Sequence, residues 1–446
     1  MSNFDIFRGR FKGDLITPSH PEYHKALDRW AANSIRPAAV VAFVKDARDV
    51  GLAIGYARAS GLRIAVRGGG HSISGASSSD GGLVVDLSRY MNNVRIDAKK
   101  KLAYAQGGAN WRAVDIASVQ HGLAAVGGTV NHIGVGGFTL GGGYGWLSGA
   151  HGLAIDNLVQ VTVVTADGVV LVANESQHTD LFWGVRGGGS NFGVVTEFVF
   201  KVHPQRHRVF AGRVIFSADS CEKVAAFLDL WWPRARPEEG MISAVVCFVF
   251  YNGSEADGRI AYKGLFDIGP LSDWASEIPY EQLNGMMNSH AEWGANYHAK
   301  GVLLCDQPSQ QLNRIVHQKL METASDPSLN VAILHEYFPH WKINSRPADA
   351  TPYRRDLPGN VLVRVQWKDN APDKAQIARE IVRQLTMLMP QGEGYGNYSD
   401  VPSTSVATAS DGTKALFREH YPKLQEIKKK FDPDMVFNQW HTIVPE

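Results

Sequence analysis

Short apolar runs dominate the first 204 residues, and stretches of helical spacing separate them. Residues 38–44, 62–67, 82–87, 94–97 and 102–106 carry the β-branched or alternating pattern of short strands. Residues 21–33, 47–60 and 111–121 repeat their apolar positions at helical spacing, the last stretch closed by Gly122. Strands are expected again at 158–165 and 169–173, joined by Ala166-Asp167-Gly168, a hairpin-type turn. A helix over 181–186 and a strand over 194–202 complete this part.

The pattern changes at Pro204. Strands are expected at 209–216, 242–251, 259–266, 331–337 and 361–368, with amphipathic helices at 221–232, 310–323 and 375–389. Such an order fits one mostly antiparallel sheet backed by helices. The tail adds a helix over 414–429 and then Phe431-Asp432-Pro433. The chain therefore reads as α+β, and no internal repeat or Pro- or Ser-rich linker interrupts it.

A length of 446 residues calls for two or three domains. Lys+Arg 45 against Asp+Glu 44 gives a formal charge of +1, so charge gives no ground for a nucleic-acid or membrane partner. Cys221, Cys247 and Cys305 are odd in number and far apart, which supports neither a disulfide framework nor a metal site. The first residues are charged and form no apolar signal region, so a soluble, cytoplasmic chain is the expectation.

Glycine changes the picture. Of 45 glycines, 20 fall within residues 67–152, interleaved with Val, Leu, Ile and Trp instead of disorder-promoting residues. The backbone there must turn tightly and approach a large, flat or phosphorylated ligand. Neither Gly134-x-Gly136 nor Gly141-x-Gly143 completes G-x-G-x-x-G, and Walker and nucleophile-elbow sequences are absent. His335-Glu336-Tyr337-Phe338-Pro339-His340 looks like a zincin string. One residue too many between the histidines, and a helix-breaking Pro339, argue against it. Arg67-Gly68-Gly69-Gly70-His71-Ser72 follows an expected strand and leads into a small-residue loop containing Gly75. Consecutive N–H groups of such a loop make an anion nest suited to pyrophosphate. With the second cluster, Gly134 to Gly145, the simplest common cause is a dinucleotide lying between the two.

Arg67–Ser72, the Gly134–Gly145 stretch, Gly152-Leu-Ala-Ile-Asp156-Asn157 and Arg186-Gly-Gly-Gly-Ser-Asn-Phe-Gly193 resemble the FAD domain of the vanillyl-alcohol oxidase superfamily. Tyr395-Gly-Asn397-Tyr398-Ser-Asp400 and Phe431-Asp-Pro-Asp-Met-Val-Phe437-Asn438 resemble segments of its berberine bridge enzyme-like branch. The resemblance implies an FAD-binding domain of two subdomains over 1–204, a substrate domain over 205–411 and a segment 412–446 returning to the FAD domain. It implies FAD-dependent hydride removal from a C–H next to oxygen or nitrogen of a small molecule, with oxygen or another acceptor taking the electrons. A flavin-dependent cyclisation or isomerisation without net oxidation is the alternative. His71 matches the histidine that bonds covalently to the flavin. Val130 stands where some members place a second, cysteinyl attachment, so one bond is expected. Ile133 occupies the position before G-V-G-G, where fast oxygen-reacting members tend to have valine. Gly134, Gly136, Gly137, Thr139, Gly142, Gly143, Gly145, Asn157, Val195, Asn397 and Asn438 are further implied flavin contacts.

Tyr395 is the first candidate for the proton acceptor and Tyr398 the second. A phenol titrating near 10 needs a nearby cation or donor to act as a base, and Arg364 on the strand 361–368 is the candidate to supply it. His132 projects either into the site or onto backbone. Trp231, Trp232, Trp293 and Trp367 read as packing residues.

Overall fold

The computed structural model describes residues 2–243, 246–304, 310–323, 326–356, 358–369, 371, 373–390, 394–399 and 411–446. Three larger sheets organise them, alongside a two-stranded pairing of Leu123–Ala124 with His203–Pro204. The first has the order Asp14–Ile16, Val40–Phe43, Leu83–Asp86, Ile64–Arg67, and its last three strands run parallel. Parallel neighbours need a crossover, and the helix Ala47–Ala59 provides it. Asp46 caps that helix by accepting from the Asp49 N–H at 2.9 Å. Val50, Ala53, Ile54 and Ala57 recur at helical spacing and are buried against the sheet.

The second sheet is antiparallel, in the order Val94–Asp97, Leu102–Gln106, Val194–Lys201, Leu158–Val164, Val170–Asn174. Gly168 closes its last hairpin at φ +81°, a left-handed conformation that favours glycine.

The third and largest sheet begins at Arg208. Its order is Ser272–Asp273, Arg208–Ile215, Val246–Tyr251, Glu239–Ser243, Asn330–Tyr337, Asn360–Trp367, Asn296–Leu303, with Ser276–Pro279 also pairing to Arg208–Ile215. All its pairings are antiparallel. Strand alternation gives it two distinct faces. Val361, Val363, Val365 and Trp367 pack on Val224, Leu228 and Trp231 of the helix Cys221–Trp231 and on Ile381 and Leu385 of the helix Lys374–Thr386. Each such side chain contributes about 1.5–3 kcal/mol by burial. Leu362 and Arg364 face the other way, into a cleft.

Four stretches differ from the sequence expectation. The apolar run 242–251 is divided between two antiparallel strands, Glu239–Ser243 and Val246–Tyr251, a division that a run without Gly or Pro does not signal. Residues 259–266 are helical, as Glu255–Ala261 and Lys263–Phe266, because Ser254 accepts from the Asp257 N–H and starts a helix there. The single tail helix is two, Asp411–Phe417 and Tyr421–Phe431. The break falls at Arg418, with φ +43°, just before Pro422 in the first turn of the second helix. Within 21–33, only Tyr23–Leu27 is α-helical and Ala32–Ser34 forms a 3-10 turn.

The tail packs on the first 204 residues. Lys428 Nζ is buried and donates to Asp432 at 2.6 Å, to the Asn191 carbonyl at 2.7 Å and to the Phe437 carbonyl at 2.6 Å. Phe437 joins the cluster of Val50, Ile54, Val85 and Val194. Asp156 and Arg355 form a buried bidentate pair at 2.9 and 2.7 Å that links the large sheet's loops to the first part. Among the described residues no helix is long and apolar enough to cross a membrane.

Candidate active site

The strand Ile64–Arg67 ends beneath a loop, and Arg67 fixes that end by pairing with Asp86 of the neighbouring strand at 3.0 Å. The loop Gly68–Ser72 then meets the second glycine cluster back to back. A Cβ on Gly69 would lie 2.4 Å from the Gly134 nitrogen, and one on Gly134 would lie 2.3 Å from the Gly69 nitrogen. Only glycine allows this approach. None of the N–H groups from Gly69 to Ser72 finds an acceptor among the described residues. Ser77 and Ser78 nearby carry buried hydroxyls without partners, and Arg29 holds the Ser77 carbonyl at 2.7 Å.

These loops line a large cleft. Its glycine-rich side includes Gly68, Gly69, Gly70, His71, Ser72, Val130, Ile133, Gly134, Gly136, Gly137 and Val195. Its opposite side is the free face of the large sheet, with Ile242, Ala299, Leu334, Glu336, Leu362 and Arg364. Tyr395, Asn397, Tyr398 and Trp440 close one end. Arg67, Gly75, Thr139, Gly142, Gly143, Gly145, Asn157 and Asn438 lie outside the lining. Asn157 instead donates to the carbonyls of His151 and Leu153, and Asn438 to that of Met435. Asp400 falls outside the described residues.

His71 and His132 are joined, Nε2 to Nδ1, at 2.7 Å. Burial, reinforced by His132, holds His71 well below the usual imidazole range, so its ring is neutral near pH 7. Burial lowers His132 as well. Trp30 stacks on His71 with centroids 4.9 Å apart, and on Tyr297 at 3.9 Å. Trp293 meets both histidines edge-on and is 46% exposed, so it differs from the packing role expected of it. Trp231 and Trp367 do belong to the helix–sheet core.

The sequence analysis met Glu336 only inside the zincin-like string. The strand Asn330–Tyr337 turns it into the cleft, 3% exposed. Tyr398 donates to its Oε1 at 2.8 Å, and Tyr144 donates to its Oε2. Burial pushes this carboxyl up to about 7, against the lowering effect of the two phenols. One signal was available: a lone carboxylate on the same strand face as Leu334. The tyrosines expected to act as bases are arranged otherwise. The Tyr395 hydroxyl accepts from the Gly143 N–H at 3.1 Å and from Asn397 Nδ2 at 2.8 Å, and burial raises its pKa. Burial raises Tyr398 too, and Glu336 adds to the effect. Arg364 does not supply the expected cation to Tyr395. Its guanidinium donates to the His290 carbonyl and lies over the Tyr297 ring, toward the His71 end of the cleft.

The chain is similar in sequence and fold to known proteins. A family described as "FAD binding domain" matches residues 37–174, and one described as "berberine and berberine like" matches residues 394–443. The FAD-linked oxidoreductase pgmH of Aspergillus terreus is 33% identical over 98% of this chain and 95% of its own length. The (R)-6-hydroxynicotine oxidase of Paenarthrobacter nicotinovorans is 28% identical over 98% and 97%. Among solved structures, 6-hydroxy-D-nicotine oxidase from Arthrobacter nicotinovorans superposes with a TM-score of 0.86 at 26% identity over 98% of both chains. Glucooligosaccharide oxidase from Acremonium strictum, described with a 6-S-cysteinyl, 8α-N1-histidyl FAD, gives 0.85 at 22% identity over the whole of both chains. That last likeness bears on the fold alone.

Proposed function

The chain belongs to the berberine bridge enzyme-like branch of FAD-linked oxidoreductases, and from that premise we propose that it oxidises a small molecule at a C–H next to oxygen or nitrogen with Glu336 as the proton acceptor. The observation that carries this reading is the buried Glu336 carboxylate in the cleft, held by two phenols and titrating near 7.

The residues fit FAD. Unpartnered N–H groups of Gly69–Ser72 suit the pyrophosphate, and the open, elongated cleft with glycines on one side suits a flat ring system. Ser77 has an unused buried hydroxyl at the cleft wall for a further polar group of the cofactor. A bound flavin would supply a hydride acceptor and a route for the electrons to oxygen or another acceptor. His71 is the attachment residue: its Nε2 is engaged by His132, which leaves Nδ1 as the nucleophilic nitrogen of a neutral ring. Val130 lines the same cleft and has no sulfur, so the link is single.

Glu336 takes the proton that leaves the substrate's oxygen or nitrogen as the C–H is oxidised. Tyr144 and Tyr398 hold its two oxygens toward the cleft. Tyr395 remains a phenol, because burial disfavours its anion and no cation among the described residues offsets that. It positions the Gly143 backbone and Asn397 instead.

The test is anaerobic bleaching of the flavin band with a panel of alcohols, sugars, cyclic amines and phenolic metabolites. Glu336→Gln should bleach about 10²–10⁴-fold more slowly with the substrate so found, at unchanged flavin content. An unchanged rate would remove Glu336 from the role, and Tyr395→Phe or Tyr398→Phe would then show the loss. Turnover of a true substrate without bleaching or oxygen uptake would favour the cyclisation alternative.

A further inference from the structure

The cleft face of the large sheet has chemistry at both ends and none between. Glu336 pairs in register with Asn360, and Arg364 follows four residues along that same strand. At ~3.3 Å per residue the two groups stand about 13 Å apart. Leu334 and Leu362, directly paired, form the floor between them, and Ala299 flanks Arg364 from the other neighbouring strand.

Arg364 is unusual among the chain's cations. Its side chain is buried, 5% exposed, and yet borders the cleft. Its Nε has no acceptor, and its one described hydrogen bond goes to the His290 carbonyl. No carboxylate among the described residues forms an ion pair with it. Glu292, the acidic group that acts on it through space, is bonded to Lys368 at 2.8 Å. A guanidinium stays protonated even when burial disfavours its charge, so this end of the cleft holds an uncompensated cation. The flavin does not offer an obvious partner. Arg364 lies over Tyr297, which stacks on Trp30 and through it on His71. Attachment to His71 as proposed would bring the dimethylbenzene edge of the ring here, and that edge bears no hydrogen-bond acceptor.

We propose that Arg364 is an anion-binding specificity residue, and that the substrate class is a flat, apolar organic acid that puts its carboxylate on Arg364 and its oxidisable C–H near Glu336. This rests on the function proposed above and narrows it. A bidentate carboxylate matches the guanidinium fork and supplies the acceptor that Nε lacks. The apolar floor favours an aromatic or conjugated body over a sugar.

The test uses 6-(hydroxymethyl)-2-naphthoate and its primary amide, which share a shape and differ in charge. Calorimetric titration into the flavin-loaded protein should show the acid binding about 10- to 100-fold more tightly than the amide. Arg364→Gln should erase that preference, and Arg364→Lys should keep part of it. Equal binding of acid and amide by the unmodified protein overturns the proposal, as does a preference that survives Arg364→Gln. Should Arg364→Gln fail to fold, the acid-to-amide ratios of the unmodified protein and Arg364→Lys decide the matter. Failure of the underlying function would show separately, as a protein without a flavin band that takes up none from added FAD.

Discussion

At the scale of single residues, the proposed proton acceptor carries a pH signature. Glu336 can accept a proton only as the carboxylate, and its pKa lies at about 7. The group is therefore mostly protonated at acidic pH and competent above neutrality. kcat/KM should fall about tenfold per pH unit below that value. The acidic limb should disappear in Glu336→Gln, whose residual rate no longer depends on this ionisation. A limb that persists unchanged would assign it to another group. Ile133 carries a second residue-scale prediction. It lines the cleft immediately before the close contact of Gly134 with Gly69. Shortening its side chain opens space there, so Ile133→Val should speed re-oxidation of the reduced flavin by oxygen several-fold and leave anaerobic reduction alone. Stopped-flow mixing with oxygen reads the first rate, and equal rates in the two proteins would show that Ile133 does not limit access.

At the scale of elements, the helix Tyr421–Phe431 is held by one buried cation. All three protons of Lys428 Nζ are used, on Asp432 and the carbonyls of Asn191 and Phe437, and Asp432 in turn accepts from the Val436 and Phe437 N–H groups. Lys428→Met keeps the apolar stem but strands a buried carboxylate and two carbonyls. Removing one member of a buried pair typically costs about 3–5 kcal/mol. Denaturant unfolding should show a loss of that size, with earlier proteolysis of the tail; a change under about 1 kcal/mol would mean the tail is held by apolar packing around Phe437. The same element shows where the sequence was readable. Helical periodicity over 414–429 indicates helix, but the break at Arg418 depends on a local left-handed turn that no glycine announces. The strands 331–337 and 361–368 were legible from alternation, whereas the strand Asn296–Leu303 beside them was not. Its run, Asn-Tyr-His-Ala-Lys-Gly-Val-Leu, mixes polar and small residues because it is the last strand of the sheet and packs against the helix Lys374–Thr386 and the turns Ala32–Ser34 and Gly396–Tyr398.

At the scale of the whole molecule, the cleft joins parts that are remote in the chain. Its walls come from the loop at His71, the cluster at Gly134, the large sheet, the segment at Tyr395 and the tail residue Trp440. This explains which site features the sequence revealed. The glycine clusters are visible because their backbone geometry leaves a compositional trace at each position. Glu336 leaves only its place on an apolar strand face, since its environment is made by Tyr144, 192 residues earlier, and by strands whose pairing order is not the chain order. A ligand that touches all these parts must also stabilise them together. With the flavin bonded to His71 as proposed, every folded molecule of the unmodified protein would carry it, so melting should not respond to added FAD. In His71→Ala the flavin should come away on acid precipitation, and its binding becomes an ordinary equilibrium. Stability should then rise with free FAD as RT ln(1 + [FAD]/Kd), about 2.7 kcal/mol at 100 times the Kd. Thermal melts of both proteins across a range of FAD concentrations test this directly. A folded His71→Ala protein whose melting ignores added FAD would show that the cleft is not where the flavin binds. One that keeps its flavin through acid precipitation would move the attachment to another residue.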